Sequence, residues 1–138
     1  MTDWNELAER CANATGPDSG LDVDITRAAW ELVDCQFGNV THSKDDISYY
    51  IERVLPGWAY KMGTCSVSDD AWLCPDLNDP VHGPRLMQQF GPVEKGSIWD
   101  EGFDIDRRPS GNMALAMCEA FCRAMAAVAA KDAAREGK

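Results

Sequence analysis

The stretch from Met113 to about Ala130 constrains this chain most, because its alanine content gives a high intrinsic helicity and it holds no proline or glycine. The helix is predicted to begin near Asn112, after Ser110. Ala114, Met117, Phe121, Met125 and Val128 recur at helical spacing and define a core stripe. Cys118 and Cys122 flank that stripe. Glu119 and Arg123 stand four apart in the favourable order for an ion pair and are expected to mark the wet side, with Leu115 near it. Small residues along such a helix let it approach a sheet closely. The charged segment Lys131 to Lys138 is expected to fray.

Three earlier segments carry the same period. Asp3 and Glu6 resemble a capping box, and Trp4, Leu7, Ala8 and Cys11 follow at i, i+3, i+4 and i+7 before Gly16-Pro17. After Asp18 or Ser19 a second helix carries Leu21, Ile25, Ala28 and Leu32. Val23 and Trp30 fall opposite that stripe, and burial against the first helix is the simpler expectation for them. Ser43 with Asp46 caps a third helix, bearing Ile47, Tyr50, Ile51 and Val54, which Pro56-Gly57 closes. Trp58, Tyr60 and Met62 then alternate with Ala59 and Lys61, the period of a strand with one buried face. Ala71 to Cys74 is its antiparallel partner, and a further short strand is expected within Cys35 to Thr41.

Pro75 to Gly111 has no sustained period and holds five of the seven prolines and five of the eleven glycines, so it reads as a long loop. Phe90, Ile98, Trp99 and Phe103 are apolar enough to dock it. The expected fold is α+β: a single α-β-α sandwich over residues 1–130, with a small antiparallel sheet, two N-terminal helices, one middle helix and a closing alanine-rich helix. Residues 75–111 form its loop excursion and residues 131–138 its tail.

Charge excludes one class of function. With 13 Lys and Arg against 23 Asp and Glu, the net charge is −10, which argues against direct nucleic-acid binding through phosphates. No apolar run is seen to approach the ~20 residues of a membrane span, and the first residues lack a secretory pattern. A cytosolic protein without membrane contact is therefore expected. Its six cysteines are then free thiols. Cys65 with Cys74 and Cys118 with Cys122 come nearest to ligand pairs, but buried thiols are the simpler reading, and neither metal nor cofactor is expected.

The chemistry-bearing motifs are few. No phosphate-binding glycine loop, zinc-protease helix or nucleophile elbow is present. His42 and His82 would need a nearby activated thiol for nucleophilic catalysis. Asp104-Ile-Asp106, if extended, sets two carboxylates on one side. Catalysis is thus not expected, and two surfaces suit binding. One is an acidic helical face of Asp18, Asp22, Asp24, Glu31 and Asp34, directed at a basic groove. The other is Trp99, Asp100, Glu101, Phe103, Asp104, Asp106, Arg107 and Arg108, where aromatic and arginine anchors sit among carboxylates. An alternative is a nucleotide sponge gathering phosphate and base with Arg85, Lys95, Trp99, Arg107 and Arg108. A thiol- or zinc-dependent protein is the third class, and a homodimer through Leu115 is a further candidate assembly.

Several segments resemble one family. They are Asp-Trp-Asn-Glu-Leu-Ala-Glu-Arg (3–10), Ala-Thr-Gly-Pro-Asp-Ser-Gly-Leu-Asp (14–22), Ile-Thr-Arg-Ala (25–28), Val-Leu-Pro-Gly-Trp-Ala-Tyr (54–60) and Met-Ala-Leu-Ala-Met-Cys-Glu-Ala-Phe (113–121). Together they are similar to the phage α-β-α (ABA) sandwich domain, with Pro75 to Gly111 longer than in its usual form. The resemblance implies a compact αβα layer, a phage or prophage origin and action in the cytoplasm of the bacterial host. It supplies no catalytic residues. Combined with the acidic balance, it implies a binding protein directed at a host component, such as an inhibitor of a defence system that mimics nucleic acid.

Overall fold

The computed structural model describes residues 2–110 and 112–136. Its elements are α1 (Trp4–Asn13), α2 (Ser19–Trp30), α3 (Lys44–Val54), β1 (Trp58–Thr64), β2 (Asp69–Pro75), α4 (Gly83–Phe90), α5 (Ile98–Glu101), β3 (Phe103–Arg107) and α6 (Met113–Glu136). The class is α+β with a small antiparallel sheet, as the periodicities predict.

Helix α6 is the axis of the fold. Its N-terminus is capped by the Asn112 side-chain oxygen Oδ1, which accepts from Leu115 N–H at 3.3 Å. It packs on α1 along one side and on β2 and β3 along the other, with α3 and β1 completing the surround. A helix enclosed this way is apolar all round, and Ala114 through Cys122 are all buried. Two expectations fail here. Leu115 is only 2% exposed, so it offers no dimer contact. Glu119 is only 7% exposed. It does pair with Arg123 at 3.0 Å, yet it also faces Arg107 at 3.6 Å. The periodic stripe implied a single dry face, whereas alanine and cysteine admit neighbours on both.

The helix also continues through residues 131–136 where fraying was expected; Gly137 and Lys138 lie outside the described residues. Contrary to the sequence expectation, Met113–Ala134 is long and apolar enough to cross a membrane, but 67% of that window is buried inside the fold.

Caps start the first three helices as expected: Asp3 accepts from Glu6 N–H, Asp18 from Leu21 N–H and Ser43 from Asp46 N–H. Val23 and Trp30 do not turn toward α1; Trp30 is 52% exposed. The segment from Cys35 to Thr41 is irregular, not a strand. Side chains satisfy its backbone instead: Tyr49 hydroxyl accepts from Gln36 N–H, Tyr50 hydroxyl donates to Gln36 O, Thr26 hydroxyl donates to Gly38 O, and Asp46 accepts from Asn39 N–H.

The sheet has the order β1-β2-β3. Trp58 pairs with Pro75 and Thr64 with Asp69 across the first ladder; Asp69 pairs with Arg107 and Leu73 with Phe103 across the second. Alternation turns Trp58, Ala71, Leu73, Phe103 and Ile105 toward α6. It turns Lys61, Asp70, Trp72, Cys74, Asp104 and Asp106 the other way.

Residues 75–110 hold α4, α5 and β3 where a long loop was expected; Gly111 lies outside the described residues. An aromatic cluster docks them: Phe90 stacks on Trp99 at 4.5 Å, and Trp58 meets both Phe90 and Phe103. Gly102 makes the tight entry to β3. Its φ is +90°, and a β-carbon there would sit 2.7 Å from Trp72 Nε1. Helix α5 therefore rests against the outward side chains of β2, where Trp72 Nε1–H donates to Glu101 O at 2.8 Å and the Cys74 thiol faces Trp99 O.

Candidate functional site

The five carboxylates of the expected acidic face meet different partners. Asp18 caps α2, Asp24 pairs with Arg10 at 2.6 Å, and Glu31 accepts from the Thr2 hydroxyl. Asp22 is buried, taking the Thr41 N–H at 2.7 Å and the Thr41 hydroxyl at 2.8 Å. Asp34 stays exposed, and its carbonyl receives Arg53. Of the five, Asp22 is buried, Asp24 is half-buried, and Asp18, Glu31 and Asp34 are exposed.

The second expected surface divides. Trp99 and Phe103 belong to the aromatic cluster. Arg107 crosses to the C-terminal end of α1, donating to Cys11 O and Ala14 O at 2.6 Å each, where the helix dipole favours a cation. Asp100 accepts from Gly96 N–H. Glu101, Asp104, Asp106 and Arg108 remain exposed.

Asp104 and Asp106 join Lys61 and Trp72, which the sequence places in strands, and Asp70, which it places in the connection between them. The register sets Asp106 directly opposite Asp70 and Asp104 opposite Trp72. Lys61, the β1 partner of Trp72, holds its ammonium 5.5 Å from the centre of the indole ring. Lys61, Gly63, Asp70, Trp72 and Asp104 line a shallow hollow of about 300 Å³ on the outward face of the sheet. The signal was present in the alternation of Asp70 and Trp72 about Ala71. What it lacked was the neighbouring strand. A cleft of about 550 Å³ lies nearby, between residues 12–15 and the segment Asp106 to Ser110.

The nucleotide-sponge residues are not gathered. Arg85 donates to Pro56 O at 3.0 Å, and Arg85, Trp99 and the Arg107-Arg108 pair line three different cavities.

The thiols differ sharply in environment. Cys11, Cys118 and Cys122 are fully buried, and burial pushes the Cys118 and Cys122 thiols well above their ordinary range. Cys118 also donates to Val40 O at 3.1 Å. Cys65 is exposed in the β1–β2 turn, where the N–H groups of Val67 and Ser68 and the Ser68 hydroxyl hold its thiol below the ordinary range. Iodoacetamide at neutral pH is expected to alkylate Cys65 first and to leave Cys11, Cys118 and Cys122 untouched until urea is added. Peptide mass mapping over time reads this, and early labelling of a core thiol would contradict it.

His42 Nδ1 lies 2.9 Å from Asp22 Oδ2, and His82 N–H donates to Asp79. Neither ring bonds to a thiol among the described residues. Nor do three or more His, Cys, Asp or Glu side chains converge there to hold a metal ion.

No family model, curated protein or solved structure matches the chain.

Proposed function

We propose that this chain is a binding protein without catalytic activity, and that it receives a basic segment of another protein on the outward face of its sheet. The carrying observation is the cross-strand pair Asp70 and Asp106 beside Trp72. Like charges directly opposite one another destabilise a sheet by about 0.2–1 kcal/mol, and a cation bound between them would reverse the sign of that contact. Trp72 already holds the Lys61 ammonium over its ring. An incoming guanidinium would find in Asp104 a carboxylate that accepts two parallel hydrogen bonds.

As a further part of the proposal, carried over from the resemblance to the phage domain, the partner is a host protein in the bacterial cytoplasm. A defence effector whose basic groove ordinarily holds nucleic acid has the complementary charge.

Calorimetric titration with a nine-arginine peptide at low salt tests this reading. Binding is expected, weakening as salt is added, with no heat from a nine-glutamate peptide. The triple variant Trp72→Ala/Asp104→Asn/Asp106→Asn should lose at least about tenfold in affinity, ~1.4 kcal/mol. Asp34→Asn/Glu94→Gln, with the same change in charge on exposed residues elsewhere, should lose much less. Equal losses in the two variants, or no binding at all, would refute the proposal.

A further inference from the structure

Resting on that reading, we infer that the basic segment binds as a fourth strand, antiparallel or parallel, along the free edge of β3. The strand order leaves β3 at one border of the sheet. In an antiparallel pair, alternate residues point their N–H and C=O groups away from the partner strand. Among the described residues, none of these outward main-chain groups on Phe103–Arg107 meets another group of the chain. Edges left open in this way pair readily with an extended segment of another molecule.

Charge singles out this edge. The 550 Å³ cleft runs beside the end of β3, with Asp106, Arg107 and Arg108 on one wall and Ala12 to Thr15 on the other. Arg107 bridges that cleft through its bonds to Cys11 O and Ala14 O, which leaves the edge from Phe103 to Asp106 for the added strand. Beyond its main-chain groups, β3 offers Asp104 and Asp106 on the outward face. A lysine or arginine in the added strand would stand about 5 Å from one of them. The opposite edge, β1, turns Ala59, Lys61 and Gly63 to that face and offers no carboxylate.

The acidic pair also bars self-association. A second copy aligned along β3 would set Asp104 and Asp106 against their own counterparts, and charged side chains commonly guard edges in this manner. The edge thus rejects its own kind and accepts strands of opposite sign.

Hydrogen exchange read by mass spectrometry on the full chain with the capped peptide Arg-Val-Arg-Val-Arg-Val-Arg decides the matter. The expected result is exchange at least about tenfold slower at amides within Phe103–Arg107, with β1 unchanged. The same peptide N-methylated at alternate residues should bind at least tenfold more weakly by calorimetry. Binding without slowed exchange in β3, or with the slowing at β1, overturns strand addition and leaves the basic-partner reading intact. Absence of binding in calorimetry overturns both.

Discussion

Asp22→Ala is expected to lower the free energy of unfolding by about 3 kcal/mol, a large fraction of the stability of a small domain. The carboxylate is 1% exposed and joins two segments. One oxygen accepts both the Thr41 N–H and the Thr41 hydroxyl; the other lies 2.9 Å from His42 Nδ1. Thr41 is itself a junction, since its hydroxyl accepts Asp18 N–H and its carbonyl accepts the Asn112 amide at the head of α6. Alanine removes the acceptors and leaves a buried N–H with no partner. Asp22→Asn keeps one acceptor and should cost about half as much. Urea denaturation with an unchanged m-value reads the loss. A change below about 1 kcal/mol would show that this cluster does not hold α2 to the 35–43 segment.

Phe121→Ala is expected to cost about 4 kcal/mol. The ring is 0% exposed at the centre of α6 and meets the Trp4 indole edge-on at 5.8 Å, so it fastens α1 to the axis. Truncation leaves a cavity that helices on one side and a sheet on the other cannot both close. Thermal unfolding, together with the near-ultraviolet circular dichroism of the tryptophans, should report the lower stability and the loosened Trp4. Phe37→Ala, on a half-exposed ring, should change stability by less than about 0.5 kcal/mol. A similar response from both variants would contradict the assignment of the core.

Short-range pattern explains what was legible before folding. Asp3, Asp18 and Ser43 announce helix starts because each bonds to a group three residues on, and Trp58 to Met62 shows its strand by alternation within one element. β3 escaped notice because only Phe103 and Ile105 carry its period, amid glycines and prolines. The segment from Cys35 to Thr41 misled for another reason. Its partners lie on α2 and α3, and nothing local distinguishes a chain paired to side chains from one paired to a strand. Glu119 shows the limit of helical wheels, since its burial depends on Arg107, which β3 delivers.

The candidate site divides in the same manner. Asp104 and Asp106 were visible as a pair, but their placement beside Asp70 and Trp72 follows from strand register. The burial of Asp22 was not legible, because its partner Thr41 becomes a neighbour only in the folded chain.

The position of α6 shapes how the polypeptide matures. Translation delivers it after every other element described here, yet α1, α3 and the sheet all lean on it. Until the ribosome has released that stretch, Trp4 lacks Phe121, the ring it meets edge-on. Folding therefore waits for the closing helix, and the nascent chain carries open apolar patches of the kind holdase chaperones shield.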